Sequence, residues 1–126
     1  EILAASLSDY DIEVIEAHHN QKIDAPSGTA MEAVKRMMKA AGIEDIAYGR
    51  EGLVGARKRE IGVHSIRGGD IVGDHTVIFA GTGERIELKH SMGSRDALAK
   101  GFIESIRWVN GKKDGKVHSL NEVLGL

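Results

Sequence analysis

Residues 10 to 42, YDIEVIEAHHNQKIDAPSGTAMEAVKRMMKAAG, predict a strand, a polar loop and a helix in that order. In the first ten residues of this stretch, apolar and acidic side chains alternate with one slip of phase, as in a half-buried strand. Pro26 then stops strand pairing and excludes a helical residue before it, and Ser27 is a good N-cap for the segment that follows. Apolar residues recur at helical spacing from 29 to 41, and Gly42 stands where a left-handed C-cap is expected.

Three later segments, 61 to 67, 70 to 81 and 84 to 90, are short, rich in Ile and Val, and separated by turns that contain glycine. They predict an antiparallel meander. In the third segment Ile86 and Leu88 share one face with His90 while charged residues occupy the other, so one side of the sheet should be buried. The other predicted elements are the end of a helix at 1 to 8, a loop at 49 to 60, an amphipathic helix at 94 to 109, and a short helix capped by Ser119. The fold class predicted is α+β, with a four-stranded, mainly antiparallel or mixed sheet packed on helices.

Length and composition indicate one small domain. The chain has 126 residues, of which 41% are hydrophobic and none is cysteine, so a disulfide scaffold is excluded and a reducing, cytoplasmic location is expected. No segment approaches the roughly 20 apolar residues that span a bilayer, and no membrane partner is expected. A net charge of -2 and 4% aromatic residues argue against a nucleic-acid partner. The chain starts at Glu1 without an initiator Met, and we expect it to be part of a longer protein.

The densest polar cluster, residues 16 to 30, is the candidate site. Alternation along the strand sends His18 and His19 to opposite sides, and imidazole exchanges protons near neutral pH. Lys22 adds a positive charge and a second possible acid. Gly28 and Thr29 open the following helix, whose free N–H groups and positive dipole end form an anion site. Together these features predict a pocket for a small polycarboxylate or a phosphate.

Each of these features also has an ordinary structural explanation. A histidine pair at a strand end is commonly structural, a loop lysine is commonly solvated, and Ser-Gly-Thr caps a helix without any ligand. The convergence of three anion-binding features within twelve residues favours the site. A metal site is not expected, because adjacent histidines on a strand diverge and the other histidines are scattered.

Two further polar segments have mainly structural interpretations. Residues 67 to 75, RGGDIVGDH, predict a turn between strands, in which Arg67, Asp70 and His75 pair with one another or face a partner chain. The basic run at 57 to 59 is most simply a solvated patch, with polyanion binding as a minor alternative. The chain contains no phosphate-binding glycine fingerprint, because Gly81-x-Gly83 would require glycine at position 86, which is Ile86.

The pattern E-A-H-H-x-x-K-x-D-A-P-S-G-T-A at 16 to 30 resembles the signature of the 4-hydroxy-tetrahydrodipicolinate reductase (dihydrodipicolinate reductase) family of diaminopimelate and lysine biosynthesis. Three later stretches match the same family in the same order: R-x-G-D-I-V-G-D-H, F-A-G-T-G-E-R-I-E-L-K-H and S-R-D-A-L-A-K-G-F. The resemblance covers essentially the whole chain and departs from the signature only at variable positions such as Asn20 and Gln21.

The resemblance implies a two-domain enzyme. Its amino-terminal half is a Rossmann domain that binds NADPH or NADH, and its carboxyl-terminal half binds substrate and forms a homotetramer through the sheet. Residues 1 to 126 resemble the second half alone, so no cofactor-binding residue is expected here. The helix at about 95 to 109 would pack towards the dinucleotide domain, which predicts an exposed apolar face, a shifted helix or a contact with another chain.

The resemblance also assigns roles to residues of the cluster. His18 corresponds to the general acid/base and Lys22 to the proton donor. His19, Lys22, Gly28 and Thr29 correspond to the groups that hold the carboxylates of a cyclic imine substrate. The alternative interpretation is a non-catalytic oligomerisation or regulatory module of the same fold.

Overall fold

The computed structural model describes all 126 residues, which form two compact units, residues 1–93 and 94–126. The first unit contains two helices and five strands, and the second contains two helices. In chain order the elements are α1 (Ile2–Ser6), β1 (Asp11–His18), α2 (Gly28–Ala41), β2 (Asp45–Tyr48), β3 (Glu60–Arg67), β4 (Gly73–Gly81), β5 (Glu84–Met92), α3 (Asp96–Asn110) and α4 (Leu120–Leu124). The predicted helices and strands are therefore present, with ends that shift by a few residues.

β1 lies at the centre of a five-stranded mixed sheet with the order β2-β3-β1-β4-β5. β2, β3 and β1 run parallel, whereas β4 and β5 are each antiparallel to their neighbours. The α+β class with a mixed sheet is thus confirmed. The predicted count of four strands is wrong, because the four residues of β2 are too few to show a hydrophobic period.

The predicted meander is correct for β4 and β5 only. β1 separates β3 from β4 and is parallel to the first and antiparallel to the second. The glycine turn after β3 accordingly pairs with the end of β1: the Gly68 amide donates to the His18 carbonyl at 3.0 Å, and the Asn20 amide donates to the Gly69 carbonyl at 3.1 Å. Local turn signals predict pairing between consecutive strands and cannot show that an earlier strand is inserted between them.

Strand register arranges the side chains of one sheet face in rows. Two rows are wholly apolar, and the next row along the strands is polar. The apolar rows are Ile61, Ile12, Phe79, Ile86 and Val63, Val14, Val77, Leu88; the polar row is Ser65, Glu16, His75, His90. This face is therefore apolar at one end of the sheet and polar at the other.

Helix α2 covers the apolar part of this face with Ala30, Val34 and Met37, all buried. The helix begins as predicted, because the Ser27 hydroxyl accepts a hydrogen bond from the Ala30 amide at 3.3 Å. It ends at Gly42, whose φ of 63° is the left-handed conformation expected of a C-cap. The first turn of α2 is consequently fixed beside the polar row.

The prediction that one side of the sheet is buried is confirmed for the central strands and wrong for β5, the strand from which it was made. Ile86 is 40% exposed and Leu88 is 61% exposed, although both share rows with core residues. β5 is an edge strand. Because α2 packs on the central strand β1, the side chains of α2 do not extend over β5.

The basic run at 57 to 59 is not simply a solvated patch, because two of its arginines bind other parts of the first unit. Arg57 donates to Glu13 at 3.2 Å and to Asp11 at 2.8 Å. Arg59 donates to the backbone carbonyls of Ser8 and Ala41. The run ties the loop between β2 and β3 to neighbouring segments.

In the second unit, the apolar face of α3 is exposed, which is the first of the three outcomes predicted for this helix. No residue of α3 is buried. Its apolar side chains have exposed fractions from 45% to 69%: Leu98, Phe102, Ile103, Ile106 and Val109. The short α4 begins with the predicted Ser119 cap, which forms a reciprocal capping box with Glu122.

Candidate active site

The polar row lies at the carboxyl end of β1, where the chain leaves the sheet for the loop that leads into α2. Glu16 is on this row, and His18 follows two residues later on the same face, opposite Arg67 of β3. Ser27, the cap of α2, is almost fully buried beside them. The candidate active site is therefore built from the ends of two parallel strands and the start of one helix.

Glu16 is the centre of the hydrogen-bond network. Its side chain is fully buried and accepts two bonds from the guanidinium of Arg67, at 2.7 and 2.9 Å. The Ser27 amide donates to it at 3.3 Å, and His18 Nδ1 lies 2.6 Å from the Oε2 atom. Burial by itself raises the pKa of this carboxyl, but the hydrogen bonds from Arg67, Ser65 and His18 outweigh it and lower the pKa to about 2.

His18 is nearly enclosed, with a side chain 12% exposed. One ring nitrogen, Nδ1, faces Glu16, and the other, Nε2, lies beside Gly73 at the start of β4. A Cβ atom at position 73 would be 3.2 Å from Nε2. Glycine at this position therefore keeps the space next to the second nitrogen open.

His75 connects the polar row to the helix. Its Nε2 is 3.2 Å from the Ser27 hydroxyl, and its ring is 5.3 Å from that of His18 and 6.4 Å from that of His90, centroid to centroid. Burial, and then the charge of His18, lower the pKa of His75. His75 is therefore favoured in its neutral form, in which Nε2 can accept the Ser27 hydrogen.

Lys22 lies in the loop between β1 and α2 and pairs with Asp24 at 2.7 Å. The same loop is fixed to the sheet, because Arg67 donates to the Asp24 carbonyl at 2.7 Å. The Lys22 amide donates to the His19 carbonyl at 3.1 Å, closing a turn directly after the strand. Arg67 thus joins the loop that carries Lys22 to the carboxylate that contacts His18.

The first turn of α2 presents Gly28 and Thr29 to solvent, and both residues are exposed. The amides of Ala30 and Met31 bond to Ser27, whereas the amides of Gly28 and Thr29, the first two of the helix, have no acceptor within the helix. A Cβ atom added at Gly28 would meet nothing within 4 Å. An anion can approach these two amides without obstruction.

The structure brings together His18 and the start of α2 through one carboxylate, and it places His19 and Lys22 in the loop between them. Three neighbours were not predicted in these roles: Glu16, Arg67 and His75. Of the two alternatives predicted for Arg67, Asp70 and His75, pairing with one another is not what Arg67 and His75 do: Arg67 binds Glu16 and His75 binds Ser27. Glu16 could have been found from the strand alone, since residues two apart share a face.

The chain contains no group of three or more His, Cys, Asp or Glu residues arranged to hold a metal ion. None of its helices has the length and apolar character needed to cross a membrane.

The chain is an α+β unit with a mixed sheet, and comparison with known proteins identifies its family. The chain belongs to the family described as "Dihydrodipicolinate reductase, C-terminus", which matches residues 1–124. Curated relatives named 4-hydroxy-tetrahydrodipicolinate reductase include those of Methanococcoides burtonii, 57% identical over 122 residues, and Methanocaldococcus jannaschii, 56% identical over 128 residues. These matches cover 97% and 100% of this chain but 46% of each relative, so the chain spans about half their length.

A solved structure shares the fold. The dipicolinate-bound dihydrodipicolinate reductase from Paenisporosarcina sp. TG-14 matches with a TM-score of 0.63 and 28% sequence identity, over 86% of this chain and 46% of that one. The predicted family resemblance is therefore confirmed.

Proposed function

We propose that residues 1–126 form the substrate-binding and catalytic half of a 4-hydroxy-tetrahydrodipicolinate reductase, which reduces a cyclic imine dicarboxylate to tetrahydrodipicolinate. The observation that carries this proposal is a shared carboxylate. Both His18 and the amide of Ser27, the N-cap of α2, bond to Glu16. An acid/base group is thereby held at a fixed position relative to an anion site. The relative from Paenisporosarcina, described as binding dipicolinate, supports a planar dicarboxylate as the ligand class.

The substrate carboxylates are proposed to bind at two places. The amides of Gly28 and Thr29, with the Thr29 hydroxyl, donate hydrogen bonds to one carboxylate at the positive end of α2. Lys22 and His19, in the loop, hold the other. Lys22 is paired with Asp24 in the free chain, so a substrate carboxylate would exchange for or share this partner.

Reduction of the ring requires a hydride and a proton, and this chain is proposed to supply the proton. His18 acts as the general acid/base, with Lys22 as a second proton donor. Both groups and the helix start surround the ring with positive potential, which stabilises negative charge that develops on it during reduction.

The hydride donor, NADPH or NADH, is proposed to bind to a part of the reductase outside this chain. The glycines at 81 and 83 lie in a hairpin between antiparallel β4 and β5 and do not lead from a strand into a helix, as a dinucleotide-binding turn does. These glycines therefore do not form a dinucleotide-binding turn, and no metal is proposed.

A homotetramer formed through the sheet, in the cytoplasm, completes the proposal. The sheet face opposite α2 carries Ile66, which is 50% exposed. The exposed edge strand β5 is equally compatible with the alternative, a non-catalytic oligomerisation or regulatory module. Sedimentation allows an oligomer in both cases, whereas only the reductase proposal requires dicarboxylate binding that depends on Lys22.

Replacing Lys22 by Ala should weaken the binding of pyridine-2,6-dicarboxylate about tenfold or more, because a charge-assisted bond to a carboxylate contributes roughly 1.5–3 kcal/mol. Isothermal titration calorimetry with the 126-residue chain and with the complete reductase measures this. Lys35→Ala, which removes an exposed lysine of α2, is the matched control and should leave the affinity unchanged. Equal dicarboxylate affinities for the wild type, Lys22→Ala and Lys35→Ala would show that Lys22 does not bind the ligand.

Replacing Gly28 by Ala should weaken dicarboxylate binding without unfolding the chain. The added methyl group meets nothing within 4 Å in the free chain, so the free energy of unfolding should change by no more than about 1 kcal/mol. A carboxylate seated on the first turn of α2 would contact that methyl group, and its affinity should fall severalfold. Unchanged dicarboxylate affinity in a stably folded variant would place the ligand elsewhere.

A further inference from the structure

We infer that Glu16 is a positioning residue for His18: it fixes the imidazole in the tautomer that carries hydrogen on Nδ1, so that Nε2 is the nitrogen available to the substrate. The inference rests on the proposed function, in which His18 exchanges a proton with the substrate. It goes beyond that function by assigning a role to a fully buried carboxylate and by identifying the reactive ring atom.

The first step is the hydrogen-bond capacity of the carboxylate. With its pKa near 2, Glu16 is ionised at neutral pH and has only acceptor positions. His18 Nδ1 approaches Oε2 at 2.6 Å, so the hydrogen between these atoms must belong to the ring. In a neutral imidazole a hydrogen on Nδ1 leaves Nε2 as the free acceptor, and in the protonated ring Nε2 is the donor.

The second step is the rigidity of Glu16. Arg67 binds both carboxylate oxygens, and Arg67 is itself held by the backbone carbonyls of Ile66 and Asp24 at 2.7 Å each. The Ser27 amide adds a further bond to Oε1. Rotation of the carboxylate away from His18 would break several charge-assisted bonds at once, so the imidazole has one fixed partner.

The third step is the free side of the ring. Nε2 points to Gly73, where an added Cβ atom would lie only 3.2 Å away. Nδ1 is inside the protein on a buried carboxylate, whereas the glycine leaves room beside Nε2. Because Nδ1 is occupied by the buried carboxylate, Nε2 is the ring nitrogen left for a substrate atom.

A comparable pair on the other sheet face provides a matched control. Glu13 is also on β1, also binds an arginine, and lies 2.7 Å from His64 Nε2. Burial raises the pKa of Glu13, and the hydrogen bonds from Arg50 and His64 outweigh this and lower it to about 2. Glu13→Gln thus removes an equivalent ion-paired carboxylate without touching His18.

The direct test is the tautomer of His18, read from the 15N chemical shifts of its two ring nitrogens in the 126-residue chain. We expect hydrogen on Nδ1 in the wild type and in Glu13→Gln, and an increased population with hydrogen on Nε2 in Glu16→Gln, because glutamine has one acceptor oxygen for Arg67 and His18 to share. A neutral His18 ring with hydrogen on Nε2 and none on Nδ1 in the wild type would overturn the inference, and that measurement stands even if Glu16→Gln does not fold.

Kinetics of the complete reductase give the second readout. Glu16→Gln should lower kcat about tenfold or more with little change in KM, and in a His18→Gln background it should lower kcat less than about twofold further. Effects that multiply in the double variant would show that Glu16 acts independently of His18 and overturn the inference. If the wild-type protein lacks reductase activity, the proposed function fails, and the tautomer measurement still decides the role of Glu16.

Discussion

Replacing His18 by Gln in the complete reductase should lower kcat by roughly two to four orders of magnitude, the range usual for the loss of a general acid/base. KM should stay within a few-fold of the wild-type value, because glutamine keeps a polar group of similar size and can still donate a hydrogen bond to Glu16. Glutamine has no proton to exchange near neutral pH, so the chemical step is the one that slows. Steady-state oxidation of the nicotinamide cofactor, followed by absorbance, measures both parameters.

His64→Gln is the matched control for this experiment. It also removes an imidazole bonded to a glutamate of β1, but on the opposite face of the sheet. We expect its kcat to remain near the wild-type value, and sedimentation of both variants checks that the oligomeric state is unchanged. If His18→Gln kept kcat within threefold of wild type, His18 would have no acid/base role and Lys22 would be left as the proton donor.

The candidate site was predictable from sequence to the extent that it is local. His18, Lys22, Gly28 and Thr29 lie within one short segment, and their chemical types indicate an anion site with a proton donor. Arg67 is 51 residues from Glu16, and His75 is 48 residues from Ser27. Their contacts depend on strand register, which neither composition nor spacing specifies.

The fold shows the same division between local and long-range information. Helix α2 was predicted almost to the residue, because its cap, its hydrophobic period and its terminal glycine all lie in one continuous segment of the sequence. The central place of β1 was not predicted, since it results from pairing with two strands much later in the chain. The arrangement of the site follows from that pairing: it sets Arg67 on one side of His18 and Gly73 on the other.

Replacing Arg67 by Met should lower the free energy of unfolding at neutral pH by about 3–5 kcal/mol, the cost of leaving a buried charge without its partner. Glu16 would keep the Ser27 amide and His18 but lose both guanidinium bonds. Urea denaturation followed by the NMR signals of β1 amides measures this directly in the sheet, whereas the single tryptophan, Trp108, belongs to the other unit, residues 94–126.

Two further variants define the origin of this loss. Arg36→Met is the matched control: Arg36 also pairs with two glutamates, Glu1 and Glu32, but its side chain is 59% exposed, so the change should cost no more than about 1 kcal/mol. Adding Glu16→Gln to Arg67→Met should recover part of the lost stability, because it removes the unpaired charge. A loss equal to that of Arg36→Met would contradict the buried ion pair.

The dependence of stability on pH gives the sharpest check, because the pKa of Glu16 should be shifted in opposite directions in the wild type and in Arg67→Met. In the wild type the pKa of Glu16 is about 2, below the ordinary value of 4.5, so its contribution to stability is complete above pH 4.5 and is lost as the pH falls towards 2. Without Arg67, burial should raise this pKa above 4.5, and the penalty for the buried charge should disappear as the carboxyl is protonated. The difference in unfolding free energy between wild type and Arg67→Met should therefore be largest near neutral pH and shrink as the pH falls towards 2. A difference that stays constant over this range would mean that Arg67 stabilises the sheet by packing and backbone bonds, and not through the charge of Glu16.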